Sequence, residues 1–367
     1  HHPSTSMKKV YTTPGYKQRH NRRSKKSVRR RKKQLVSRQQ KMKRKQRTAF
    51  RPAITVRPPL PAPGDLRLFH HPEACFHFFR KLRREEQQSF ESSGPYVRAS
   101  LAAVELIDHA SISILNAITY DLSYQGISFQ GELPAEPSCK QFIIDSGFLH
   151  NMHDEAGVAF PKMPGSDIFF FERGCGKLSF QDIAKVTETM VNVAGHLGDE
   201  TAKCMPIRTI MLEVFGNSIE WSGAREQQWL MGLKYEENRV VFTLTDVGQG
   251  ILETLQRKFL KQIGDVIHFR QKHNVLMRAF MQKYGSATGE QNRNKGLPYV
   301  RQCFEKGFIS HLKVVTNNVI LDFSDTSQSR TITRKNAQFD GTFFQWEMTP
   351  TSLLNIKNSR YVHAKNC

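Results

Sequence analysis

The chain has 367 residues, enough for two domains with their own cores, and a formal net charge of +22. Of its 55 Lys and Arg, 21 precede Asp65 and no acidic residue does, so the remainder holds 34 basic against 33 acidic residues and is near neutral. No apolar run is long enough to span a membrane, and the cysteines (Cys75, Cys139, Cys175, Cys204, Cys303, Cys367) form no Cys-x-x-Cys pair, which argues against a membrane protein, a disulfide scaffold and a thiolate metal site and for a reduced, cytoplasmic protein.

Residues 1–64 read as tail and linker. His1–Ser6, ahead of Met7, resemble a tag remnant. The clusters Arg22-Arg-Ser-Lys-Lys26, Arg29-Arg-Arg-Lys-Lys33 and Lys43-Arg-Lys45 have too few apolar neighbours to bury a core, so disorder or folding on a partner is expected. Such a tail suits the phosphate backbone of DNA or RNA, with steep salt dependence and little sequence preference. A solubilising role and an acidic protein partner are the alternatives. Arg57-Pro-Pro-Leu-Pro-Ala-Pro-Gly64 reads as a stiff linker.

Residues 65–155 alternate strand and helix patterns, the signature of an α/β layer. Leu66–Phe69 reads as a short strand. Glu73–Gln88 has helical spacing (Cys75, Phe78, Phe79, Leu82) and a charged outer face. A strand follows over Tyr96–Ile107, a helix over Ser111–Leu122, a strand over Gly126–Gln130 and a helix over Pro134–Phe148. The passages Val104–Leu115, Ile127–Pro134 and Ser146–Phe148 resemble a STAS-like domain, the fold of anti-sigma-factor antagonists, which implies a partner protein. In those antagonists a phosphorylatable Ser closely follows the Asp; here His109 and Ala110 hold those places and Ser111 comes one step later, so Asp108 reads as a helix cap.

Residues 156–350 follow, with 351–367 as a C-terminal tail. Gly174-Cys-Gly-Lys177 lacks the longer phosphate-loop frame and reads as a turn. Gln181–His196 is helical and expected beside the next helix. His196 and His109 lack the surroundings of a phospho-acceptor and read as core or surface histidines.

Four motifs then appear in order. Glu213 and Asn217 are four apart, hence on one face of a helix whose apolar side is Met211, Leu212, Val214, Phe215 and Ile219. A carboxylate and an amide so placed suit a hydrated Mg²⁺ and a water to be activated. Val240–Thr245 reads as a buried strand ending in Asp246-Val-Gly248-Gln-Gly250, a carboxylate fixed beside two glycines that admit a flat ligand closely. Asn292-Arg-Asn-Lys295-Gly296-Leu297 precedes a helix (Tyr299, Val300, Cys303, Phe304), where free N–H groups suit phosphate. Phe339-Asp-Gly-Thr342-Phe-Phe-Gln-Trp-Glu347 reads as a turn into a strand with an inward Thr.

Over roughly residues 180–350 this order resembles the ATP-binding fold shared by gyrase, histidine kinases and MutL, the GHKL ATPases. The resemblance implies a Bergerat-type α/β sandwich, so the whole chain is expected to be α/β (α+β). It implies Glu213 as the water-activating acid, Asn217 as the Mg²⁺ ligand, Asp246 on the adenine amino group, Gly248 and Gly250 along the base, Gly296 and Leu297 at the phosphates, and Thr342 closing the adenine pocket. Where histidine kinases carry a richer glycine run, this chain has Asn292–Lys295; Lys295 either supplies charge to the phosphates or is a solvated loop lysine. The insertion 251–292 falls where that family has its lid over the phosphates.

The expected function is an ATP-hydrolysing switch whose lid closure alters what the STAS-like layer or the tail contacts, possible homodimerisation included. One alternative is a protein kinase of the anti-sigma or histidine-kinase type acting on a separate protein. The other is a non-catalytic, ATP-sensing nucleic-acid-binding regulator. A bacterial setting in stress or phage defence is implied by resemblance alone.

Overall fold

The computed structural model describes residues 54–152, 158, 160, 169–175, 178–199, 202, 204–221, 228–258, 271–281 and 296–365. The basic clusters of the tail, Lys295 and most of the connection 153–168 lie outside the described residues.

The first elements are β1 (Leu60–Pro61), β2 (Asp65–Leu66), α1 (Pro72–Leu82), β3 (Ser89–Glu91), β4 (Gly94–Ser100), β5 (Leu106–Ile107), α2 (His109–Tyr124), β6 (Ser128–Glu132) and α3 (Pro137–Asp145). β4 pairs in parallel with β1 and β6 and antiparallel with β3, while β2 and β5 make a separate parallel pair. The Pro-rich stretch expected as a linker is therefore partly a strand. Leu60 and Ala62 are buried, and proline is tolerated because β1 is a sheet edge, where no ladder N–H is demanded of it. α1 starts with Pro72 at its first turn and ends on Arg80 and Lys81, both placements that suit a helix. Asp108 caps α2, as its position suggested: Oδ1 accepts from the Ser111 amide at 2.8 Å, and Oδ2 from the Leu68 amide at 3.0 Å.

There follow β7 (Phe169–Cys175), α4 (Phe180–His196), α5 (Met205–Trp221), β8 (Gln228–Glu236), β9 (Arg239–Asp246), α6 (Ile251–Lys258), α7 (Lys272–Phe280), α8 (Gly296–Glu305), β10 (Ser310–Asn317), β11 (Val319–Asp322), β12 (Arg330–Thr331), β13 (Phe339–Met348) and α9 (Pro350–Lys365). Seven strands form one antiparallel sheet in the order β12-β11-β10-β13-β9-β8-β7. Gly174 and Cys175, expected in a turn, continue β7 opposite Trp229 and Gln228. The segment expected as a C-terminal tail is helix α9, whose Leu353 and Ile356 are buried in the core.

Both faces of this sheet are covered, and the two-residue period of a strand divides its side chains between them. Trp229, Met231 and Leu233 of β8, Val240, Phe242 and Leu244 of β9, and Phe344, Trp346 and Met348 of β13 join one core with helices α4, α5, α7, α8 and α9. Leu230, Val315, Ile320, Phe339 and Phe343 join a second core with α1, α2 and α3. α5 shows why: Ile207, Ile210, Met211, Val214 and Phe215 recur at helical spacing, all buried, and Phe215 stacks on Trp229 with ring centroids 4.0 Å apart. α4 packs beside α5, as expected from the spacing.

The stretches 65–155 and 156–350, expected as successive domains, thus share one core. α2 lies on β8 and β9, with Ser113 Oγ 2.9 Å from Thr243 Oγ1, and residues 56–367 cluster as one compact unit. The protein is mixed α/β. Among the described residues, no helix is long and apolar enough to cross a membrane.

Candidate functional site: a buried carboxylate at the end of β9

Asp246 is the last residue of β9, on the face of the sheet that carries Phe242 and Leu244 and is covered by α5. It is only 8 % exposed. Oδ2 accepts from Ser218 Oγ at 3.2 Å, a hydroxyl that also faces the Val214 carbonyl at 3.0 Å and so shares its one proton between them. Oδ1 is buried and makes no hydrogen bond of good geometry, although the Thr342 hydroxyl and the amides of Thr342 and Gly248 lie close enough to the carboxylate to favour its charge. Burial raises the carboxyl pKa to about 6; Ser218, the Thr342 hydroxyl and the amides of Thr342 and Gly248 draw it back only in part. A buried acceptor left open costs free energy of about 1–3 kcal/mol, so this atom marks a place where a donor is wanted.

Thr342 stands directly opposite Asp246 in the β13–β9 ladder, and Thr316 of β10 stands opposite Thr342. Three polar side chains from three strands thus occupy one rung, each buried. Thr316 ties the surrounding loops together: its Oγ1 accepts from the Ile251 amide at 2.8 Å and donates to the Gly341 carbonyl at 3.0 Å. Asn317 Nδ2 donates to the Gln249 carbonyl at 2.8 Å. The loop 247–250 is thereby pinned to β10, at the head of α6.

Two glycines in this rung's surroundings answer to space and conformation. Gly250 has φ +80°, and a Cβ there would meet Asn317 Oδ1 at 2.5 Å and Thr316 Oγ1 at 2.7 Å. Gly341 has φ +155°, and its Cβ would collide with the Asp246 carbonyl.

Of the residues singled out in the sequence, Asp246, Thr342, Gly248 and Gly250 are brought together here. Glu213 and Asn217 are on α5, which reaches this rung through Ser218, the neighbour of Asn217. The Glu213 side chain is exposed. Gly296 is buried and Leu297 half-buried at the start of α8, which packs on α5. Ser218, Thr316 and Asn317 escaped sequence reasoning, because hydroxyl and amide groups carry no pattern until the ladder places them.

Elsewhere, the histidines read as core and surface are so. His109 is buried and its pKa falls to about 3 through burial, while exposed His196 lies 2.7 Å from the Glu236 carbonyl. A cleft lined by Ala117, Tyr120, Arg173, Gln228, Thr245 and Val247 opens on the α2 face of the sheet, so it is not the Asp246 site. Among the described residues, no group of three His, Cys, Asp or Glu is placed to hold a metal ion. No protein-family model matches the chain, and no curated protein matches it.

Proposed function

We propose that the chain is a GHKL-type ATPase with a Bergerat-type ATP-binding fold, whose purine site is the Asp246–Thr342 rung. The observation that carries this reading is Asp246 Oδ1, a buried acceptor that makes no hydrogen bond of good geometry, at the strand end that leads into the loop of Gly248 and Gly250. The exocyclic amino group of adenine is a donor of the right kind, and a hydrogen bond to a charged partner contributes about 1.5–3 kcal/mol. Thr342, in register with Asp246, faces the same base edge.

The remaining roles rest on the motif order. Glu213, exposed on α5, orients and deprotonates the attacking water. Gly296 and Leu297, at the start of α8, present amides to the phosphates, and Lys295 adds its charge. Asn217, one helical turn after Glu213, is the side chain that would hold Mg²⁺. Bound there with the phosphates, Mg²⁺ would neutralise charge developing on the transferred group. In the resemblance the insertion 251–292 is the lid whose closure is the switch; α6 and α7 within it are packed on the sheet core, so that role falls to 259–270 and 282–292, which lie outside the described residues. The layer 65–155 is STAS-like and receives a partner protein. The basic tail binds DNA or RNA in the cytoplasm, so loss of residues 1–53 should abolish a salt-sensitive interaction with either.

The test is ATP binding and phosphate release with Mg²⁺ for the wild type, Glu213→Ala and Asp246→Asn. Glu213→Ala should bind ATP and lose turnover; Asp246→Asn should lose both. Phosphotransfer to a protein without phosphate release would replace the ATPase with the kinase alternative. Turnover that survives Glu213→Ala would remove that residue from the chemistry.

A further inference from the structure

The ladder between β9 and β13 ends at the Asp246–Thr342 rung. Beyond it the two chains continue as Val247 on one side and Gly341 and Asp340 on the other, and a side chain from α1's C-terminus bridges them. Arg83 Nη1 donates to the Asp340 carbonyl at 2.7 Å, and Nη2 to the Val247 carbonyl at 3.0 Å. The guanidinium stands where the next rung of the ladder would be. Its fork is held from behind by Asp121 of α2, whose Oδ2 is 3.2 Å from Nη2 and 3.3 Å from Nε. Gln125 donates to the same oxygen at 3.0 Å. Both members of the pair are largely shielded, the side chains being 21 % and 10 % exposed.

We infer that Arg83 is a positioning residue for the purine site, fixing the two main-chain segments that carry Asp246 and Thr342 and tying them to the α1–α2 layer. This rests on the nucleotide reading above. A planar fork meets the two carbonyls with two nitrogens in fixed directions, whereas a lysine offers its donors from a single freely rotating nitrogen. The Asp121 carboxylate offsets the burial of its charge. Arg80 supports the same segment, with Nε 3.6 Å from Asp340 Oδ2. Only one residue separates Asp340 from Thr342, and none separates Val247 from Asp246. A shift at either carbonyl therefore reaches the base-binding side chains directly. The consequence is functional: whatever moves α1 or α2 moves the adenine pocket, while Glu213, on α5 across the sheet, is not in contact with the fork.

The experiment uses the full chain and compares wild type, Arg83→Met, Arg83→Lys and Arg67→Met. Arg67 pairs with Asp65 in the same layer but touches neither loop, so it controls for loss of stability. ATP affinity, the rate of phosphate release at saturating ATP, and amide hydrogen exchange over 246–250 and 340–342 are measured. Arg83→Met should weaken ATP binding roughly tenfold or more, with the saturated rate within about twofold of wild type, and should speed exchange in both loops. Arg83→Lys should recover less than half of the lost affinity, in logarithmic terms, and Arg67→Met should change neither affinity nor loop exchange. Unchanged affinity in Arg83→Met, or a loss matched by Arg67→Met, overturns the inference. If the wild type binds no ATP, the nucleotide reading has failed and this role fails with it; exchange that still quickens in both loops would then show the fork to be a purely structural clamp. Exchange unaltered in Arg83→Met rejects the fork itself, whatever ATP does.

Discussion

Thr342 lies directly opposite Asp246 on the final rung between β13 and β9, with both side chains on the sheet face covered by α5. Two motifs nearly a hundred residues apart thus become one polar site, completed by Ser218 from α5 and by Thr316 one strand further on.

Thr342→Val keeps the shape and removes the hydroxyl. A neutral hydrogen bond contributes about 0.5–1.5 kcal/mol, so ATP affinity should fall by roughly three- to tenfold with little change in melting temperature. Calorimetric titration reads this directly. Wild-type affinity in the variant would exclude Thr342 from the base contact.

The raised pKa of Asp246 has a signed consequence. The folded group titrates at about 6 and an ordinary aspartate at 3.8, so between these values the unfolded chain releases a proton that the folded chain keeps. The stabilisation is complete below about pH 4, declines as pH rises towards about 6 and is gone above it, a span of up to about 3 kcal/mol. Asp65 works in the opposite sense, because Arg67 lowers its pKa to about 2. The Asp246 contribution is therefore read as the difference between wild type and Asp246→Asn in urea unfolding from pH 4 to 7. A difference that does not vary with pH would contradict the burial argument.

Gly250→Ala puts a Cβ against Thr316 and Asn317 at a positive φ. The left-handed backbone alone costs about 1–2 kcal/mol, and displacement of the Thr316 and Asn317 contacts adds to it. Thermal unfolding should shift down, and ATP affinity should drop with it, since the same contacts pin the loop 247–250. An alanine variant as stable as wild type would mean that the loop rearranges freely.

Phe343 is fully buried in the core that joins α1 and α2 to the sheet. Phe343→Ala should cost about 3–5 kcal/mol, and because the core is shared, the layer 65–155 and the sheet should melt in one transition. Two separate transitions in calorimetry of the wild type would argue for independent units.

Much of this was legible where the pattern is local. The strand Val240–Thr245 and the Asp108 cap follow from β-branched composition and capping chemistry, and the structure has both. Of the α5 side read as Met211, Leu212, Val214, Phe215 and Ile219, the structure buries Met211, Val214 and Phe215 and half-buries Leu212. The strands over 228–236 and 310–322 show little alternation, because consecutive residues are buried over Gln228–Leu233, Val314–Thr316 and Val319–Asp322. α9 passed for a tail since its buried Leu353 and Ile356 are a sparse stripe among polar residues, and the Pro-rich strand β1 passed for a linker. Arg83 looked like one more charge on the outer face of α1. Its partners, two backbone carbonyls far along the chain, exist only once the sheet is assembled.

The most direct measurement is a pair of titrations of the full chain, one with ATP and one with GTP, each with Mg²⁺. Guanine carries a carbonyl where adenine carries its amino group, so Asp246 Oδ1 would face an acceptor instead of a donor. Saturable ATP binding, with GTP weaker by roughly a hundredfold or more, is the predicted result. No saturable ATP binding, or equal affinity for the two nucleotides, would contradict the assignment of Asp246 to the purine site.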